Sequence, residues 1–292
     1  MSLTDRAVET RSSHGSASRS GFTRLHPKKW LLFFVTALLA VLTVFPLLWM
    51  LSSSFKGLND VNSLSLIPAA PTLANFVYVF TEVPFLTYMF NSFFVATVVT
   101  VGALFFHSMA AYALSWLRFP GRNVIFLAIF STFLVSLPVI LVPLFILAKF
   151  LGLLNNFGGL IIPALFNAFG IFLLRQFYLG IPKELGEAAT LDGCNYWQTY
   201  WHLILPLSRP VLSALAVFFF LANWNSFLWP LTITNDQNLW MVQIGIANFQ
   251  NQYAGSWNYI MAASVVAAIP TLMLFFFFQR QLVTSIKASG FK

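Results

Sequence analysis

The chain is expected to be all-α: a polytopic membrane protein of six transmembrane helices with both termini cytoplasmic. Three observations carry this expectation. Apolar residues make up 59% of the 292 residues and charged residues only 8%, against about a quarter charged in an ordinary soluble domain. The mean hydropathy is +0.79, and the apolar residues fall into blocks near the roughly 20 helical residues that cross a bilayer core. The blocks are continuous rather than alternating in period two, which selects helices over a closed barrel.

Taken in order, residues 1–27 are rich in Ser, Arg, Thr and Gly without apolar periodicity and read as a disordered cytoplasmic tail. Residues 28–292 form one transmembrane domain. Its spans run approximately Trp30–Ser52, Tyr88–Leu114, Asn123–Ala148, Phe157–Phe177, Pro210–Leu231 and Tyr259–Gln279. The first is too long for a cleaved signal peptide and has no small-residue cleavage site after it. The first outer segment, about Ser53–Thr87, contains Pro68, Pro71 and Pro84 and reads as a folded-back loop with one short helix at Leu73–Phe80. A tight inner turn surrounds Phe119-Pro120-Gly121, and Gly152, Asn155 and Asn156 mark a short outer turn. The third outer segment, Thr232–Asn258, is polar and aromatic with no Lys or Arg, and reads as a long loop. Fourteen of the sixteen Lys and Arg residues fall on one side of this topology; Lys56 and Lys149 are alone on the other. The positive-inside rule makes the basic side cytoplasmic. The net charge of +8 is therefore topological, and no nucleic-acid role follows from it.

Several chemistries lack support. There is no P-loop pattern. His14, His26, His107 and His202 are scattered and Cys194 is the only cysteine, so neither a metal site nor an intrachain disulfide is expected, and no catalytic set stands out. The spans contain no Asp or Glu, whereas ion-coupled carriers usually hold ionisable groups there. His107 lies among small residues, including Ser108, Ala110 and Ala111, and reads as a packed side chain.

The polar stretch between the fourth and fifth spans, about residues 178–209, stands apart. Pro182 suits a first helical turn, and Glu184 and Glu187 occupy the early turns, where the helix dipole favours anions. Ala188 and Ala189 permit close approach. Asp192-Gly193 signals a turn, and Tyr196–Leu205 forms a second amphipathic stretch that Pro206 ends. Two short helices joined at a glycine make a knob suited to a groove in a cytoplasmic partner; an interfacial amphipathic loop is the plainer alternative.

This loop resembles the EAA motif of ABC-importer permeases. Glu187-Ala188-Ala189 is followed by three residues, Gly193, nine more, and then Leu203-Ile204-Leu205-Pro206, which departs from the motif only by Leu203 for Ile. Ala111-Tyr112-Ala113-Leu114, Arg118-Phe119-Pro120-Gly121-Arg122, Asn91-Ser92, Lys149 with Gly152-Leu153-Leu154-Asn155, and Asn223 through Leu231 resemble the carbohydrate subgroup. The C-terminus resembles its maltose G-type permease, with Ser285 and Ser289 standing where glycines are usual. The resemblance covers roughly residues 30–292 and implies the type I importer fold in a bacterial plasma (inner) membrane.

It implies that Glu187, Ala188, Ala189, Asp192, Gly193, Leu205 and Pro206 couple the chain to an ATPase. Glu187 would pair with a basic residue there, and Asp192 would hold the turn. The chain itself would bind no cofactor, because ATP and Mg would sit on the ATPase. The implied partners are a second homologous permease, two ABC ATPase subunits, an extracytoplasmic sugar-binding protein, membrane lipids and a carbohydrate substrate. Asn223, Trp224, Asn225 and Phe227, with Asn167, supply the amides and aromatic faces that sugars need, although helix–helix hydrogen bonding is the favoured explanation of the amides. An ion-coupled secondary sugar carrier is the alternative of a different class.

Overall fold

The computed structural model describes residues 27–252 and 257–289, with side chains over 30–249 and 257–279. The tail read as disordered therefore lies outside the described residues except for Pro27, as do Tyr253 and the side chains of Ser285 and Ser289. Every regular element among the described residues is helical. The described residues up to Leu47 and those from Leu48 onward form separate compact units. α1 (Pro27–Ser54) carries the first apolar stretch, Trp30–Ser54.

Next come α2 (Ala74–Thr81), α3 (Phe85–Trp116), α4 (Arg122–Thr132), α5 (Leu137–Phe150), α6 (Phe157–Leu165) and α7 (Ala168–Leu179). They are followed by α8 (Lys183–Leu191), α9 (Tyr196–Thr199), a π-helical turn at Tyr200–Ile204 and α10 (Leu205–Leu207). The described residues end with α11 (Arg209–Trp224), α12 (Leu228–Ile233), α13 (Val242–Gln252) and α14 (Trp257–Ser289). Among the described residues four helical stretches are long and apolar enough to cross a membrane, and six if each sharply bent pair is one span.

α3 organises the second unit. Its 32 residues extend about 48 Å, well beyond the roughly 30 Å of a bilayer core. Tyr88, Ser92, Val95, Val99, Ala103, His107 and Ala111 recur every three or four positions and are all buried, forming one continuous stripe. α3 takes part in three apolar clusters. Phe85 and Tyr88 join Phe220, Trp224, Val242 and Phe249; Ala103 and Ala111 join Leu174, Tyr178, Ile204 and Leu215; Val95 and Val99 join Leu160, Trp229 and Met241.

The third apolar block is sharply bent and the fifth is interrupted where continuous spans were expected, while the fourth keeps its expected length as Phe157–Leu179 with a local irregularity. α4 and α5 meet at 99°, because Ser136 is extended and Pro138 in the first turn of α5 has no N–H for the preceding turn. Between α6 and α7, Phe166 and Asn167 are extended, and the Asn167 side chain accepts from Phe169 N to start a new helix. The break between α11 and α12 falls at residues 225–227. Pro230 in the first turn of α12 cannot extend the ladder backwards.

The first outer segment folds as expected, its short helix being α2. Asn75 donates to Ser54 O at 2.7 Å and Lys56 O at 2.8 Å, and Asn258 donates to Asn75 Oδ1. Lys56 is buried, donates to Ser63 O at 2.9 Å and lies 4.7 Å from the Trp49 ring. The third outer segment departs from the expected loop, because it forms a 3-10 turn at Gln237–Leu239 and then α13, which packs into the core. Met241, Val242, Ile244 and Phe249 are buried, and Asn91 and Ser92 bind the backbone of Asn238, Trp240 and Val242. Their helical spacing is masked by interleaved Gln and Asn.

Candidate functional site

The polar stretch after α7 folds into a two-helix knob. Pro182 is the N-cap of α8, one position ahead of its first turn, and Glu184 lies in that turn. The helix ends in a Schellman arrangement: Gly193 N–H reaches Thr190 O at 3.0 Å and Cys194 N–H reaches Ala189 O at 2.9 Å. Gly193 has φ +82°, a region that L side chains avoid. Asp192 joins this turn through its backbone N–H, which donates to Ala188 O. A capping box then starts α9, with Gln198 N donating to Asn195 Oδ1 and Asn195 N to Gln198 Oε1.

Pro206 does not end the second helix as expected. The helix widens into a π turn in which Leu205 N–H reaches Tyr200 O, and runs on through Pro206 to Leu207. A wider turn relieves the clash that a proline ring makes with an α-helical carbonyl four residues back. Ser208 then marks a 75° bend into α11, its Oγ bonded to Ile204 O at 2.7 Å.

Glu187, Ala188, Asp192 and Gly193 are exposed, Ala189 is half-buried, and Leu205 and Pro206 are half-buried at the base of the knob. Leu191 is 90% and Tyr196 74% exposed, so the knob offers apolar as well as acidic surface. Its underside is anchored on α3. Tyr112 Oη donates to Tyr196 O at 3.0 Å, and the Ser108 and Tyr200 hydroxyls lie 2.6 Å apart. A cavity of about 410 Å³ opens between knob and bundle, lined by Trp116, Arg118, Lys183, Gly186, Glu187 and Cys194 among others.

The sugar-path candidates divide. Trp224 is buried and donates Nε1–H to Ala267 O at 3.2 Å, which makes it a packing residue between α11 and α14. Asn223 and Asn225 donate to the carbonyls four residues back in their own helix, Phe219 O and Leu221 O. Asn225 also accepts from Gln243 at 3.2 Å. Asn167, Asn225 and Phe227 are exposed, and all three lie at helix breaks. His107 is buried as expected, and its Nε2 accepts the Asn167 N–H at 3.0 Å. This bond ties α3 to the break in the fourth block and was not foreseen. Among the described residues no three His, Cys, Asp or Glu side chains are grouped to hold a metal ion.

Comparison with known proteins places this architecture. Residues 108–288 match the family described as the binding-protein-dependent transport system inner membrane component. The chain is 36% identical over 268 residues to the arabinooligosaccharides transport system permease protein AraQ of Halalkalibacterium halodurans, covering 90% of this chain and 96% of that one. It is 31% identical to the diacetylchitobiose uptake system permease protein NgcG of Streptomyces coelicolor, covering 87% and 85%. Its fold is similar to that in the crystal structure of a bacterial ABC transporter involved in the import of the acidic polysaccharide alginate. The TM-score is 0.78 at 24% identity, over 87% of this chain and 97% of that one. The chain belongs to the binding-protein-dependent transport system inner membrane component family, as a multi-pass permease subunit of an ABC importer in the bacterial plasma membrane.

Proposed function

We propose that the chain forms half of the translocation path of an ATP-driven importer for a di- or oligosaccharide or a sugar-polyol. A second homologous permease completes the path, two ABC ATPase subunits supply the drive with ATP and Mg bound on them, and an extracytoplasmic binding protein delivers the sugar. The observation that carries this reading is the knob of α8 to α10: two capped helices, a glycine turn and an exposed acidic and apolar face on the side where Lys and Arg collect. In this reading Glu187 pairs with a basic residue of the ATPase, Ala188 and Ala189 allow close seating, and Asp192 and Gly193 shape the turn. Leu205 and Pro206 set the base of the knob. ATP binding closes the ATPase pair, draws the two knobs together, and favours one of two rigid-body arrangements of the spans.

Asn167, Asn225 and Phe227 support a path through the breaks. Irregular backbone at membrane depth is tolerated where it is covered by protein or lines a cavity, so exposed residues at breaks belong against a partner or the substrate route. Uncharged amides beside an aromatic face suit sugar hydroxyls and ring C–H groups. The carbohydrate named for the AraQ and NgcG relatives supports the same substrate class. The test is uptake into proteoliposomes holding the complete complex. Uptake that persists when ion gradients are collapsed and stops without ATP supports the importer; uptake that follows the gradient and ignores ATP establishes the secondary carrier.

A further inference from the structure

The helix that receives the stroke of the knob is legible in how the knob is seated. A Cβ built on Gly186 lies 2.2 Å from Trp116 Cζ3, 3.1 Å from Cη2 and 3.2 Å from Cε3. The backbone of α8 therefore rests directly on the six-membered ring of the residue that ends α3. The ring is held in place, because Trp116 Nε1 donates to Tyr178 O at 3.1 Å and the Tyr112 ring stacks on it at 6.4 Å. The end of α3 is also secured. Arg122 donates to Ser115 O and Leu117 O, and Arg175 Nε donates to Leu114 O at 3.1 Å. Carbonyls that would otherwise be free at a helix C-terminus are thus bonded to cations, the favourable partner there.

Ser108, Tyr112 and Trp116 stand one turn apart on one stripe of α3, and together they hold the knob on both sides of the Gly193 turn: α8 at Gly186, and the second helix at Tyr196 and Tyr200. We propose that Gly186 and Trp116 are positioning residues forming the pivot on which the knob moves and through which it drives α3. The cavity beside this contact gives α8 room to rock. The proposal rests on the reading of the knob as the ATPase-docking element. Gly186 precedes Glu187 and falls outside the spacing pattern that identifies the loop.

The test uses the full complex in proteoliposomes and reads substrate imported per ATP hydrolysed, a ratio that a change in stability or yield does not move. Gly186→Ala, which drives a methyl into the ring, and Trp116→Leu, which removes Cζ3 and Cη2, are each expected to lower the ratio about fivefold, within the range of coupling seen between contacting residues. The double variant is expected to recover part of that loss, because the added methyl occupies vacated space. Either single variant keeping the wild-type ratio while retaining its ATPase overturns the pivot, and so does a double variant with simply additive losses. Glu187→Ala separates the two readings. If it leaves the ratio unchanged, ATPase docking through the knob is itself wrong; if it lowers the ratio while both pivot variants do not, only the pivot fails. Should a pivot variant fail to assemble, the wild-type complex decides. Cys194, the chain's single cysteine, lines the cavity, and its rate of modification by a maleimide is expected to change on adding ATP and Mg; an unchanged rate overturns the pivot.

Discussion

Replacing Gly193 by Asn, Ala and Val is expected to lower transport in that order. The turn holds φ at +82°, and a Cβ there meets nothing within 4 Å, so the penalty is conformational rather than steric crowding. For an ordinary L residue the left-handed region costs roughly 1–2 kcal/mol, and Asn tolerates it best. At about 1.4 kcal/mol per tenfold change, Ala reduces the population of the native turn by about five- to thirtyfold if an alternative turn is equally accessible. Asn falls below that range, and the β-branched Val exceeds it. What is lost is the pair of bonds from Gly193 and Cys194 to Thr190 and Ala189, and with it the angle between the two helices of the knob. Because Gly193 is exposed and outside the apolar clusters, the thermal midpoint of the purified chain is expected to move little. The assay is ATP-driven uptake in proteoliposomes, normalised to ATPase retained in the complex. Wild-type uptake by Gly193→Val, or an Asn variant as impaired as Val, refutes the argument that the turn geometry transmits the drive.

Glu187→Ala and Gly193→Asp are expected to lower uptake and its coupling to ATP hydrolysis while the membrane domain stays folded; normal uptake by both contradicts the docking role of the knob. His107→Leu removes the acceptor for the Asn167 N–H at the break before α7. The bond is part-buried, so losing it is expected to cost about 1 kcal/mol, the lower end of the range for an unpaired amide; the variant's thermal midpoint in detergent is expected to fall, and an unchanged midpoint refutes the bond's structural role. Between α1 and α2, the Asp60 carboxyl is held below its ordinary range first by the Ala69 N–H, then by the Ser63 hydroxyl, with a further contribution from Lys56. A depressed folded value stabilises the fold above the ordinary carboxylate range, and the effect disappears as pH falls through the depressed value. The stability difference between wild type and Asp60→Asn is therefore expected at neutral pH and to vanish in strong acid. A difference that is independent of pH refutes it.

How much of this was readable in advance follows from what each feature depends on. The knob was legible because its chemistry is local: Glu187, Gly193, Leu205 and Pro206 have a fixed spacing, and a polar stretch between apolar blocks is conspicuous in one dimension. The breaks left partial marks in Pro138, Asn167 and Pro230, but a proline or asparagine inside an apolar run is compatible with a straight, a kinked or a broken helix. Only the packing of α5 to α7 and α12 selects among them. Direction was not legible at all. Asn223, Trp224 and Asn225 look like one sugar-binding group by residue type, yet α11 turns Trp224 into the cluster with Phe220 and Val242 while Asn225 is left exposed.

The same limit hid the receiver of the knob. α3 is apolar on every face, so the buried stripe through Ser108, Tyr112 and Trp116 has no contrast with the lipid-facing side, and amphipathic patterning carries no information there. Gly186 is equally silent, since a glycine in a helix costs about 1 kcal/mol relative to Ala and reveals its reason only once a ring is found against it. In a permease the parts that reach into water carry polar residues and thus announce themselves. The parts that carry motion across the membrane are held by packing, and are written in distances rather than in residue types.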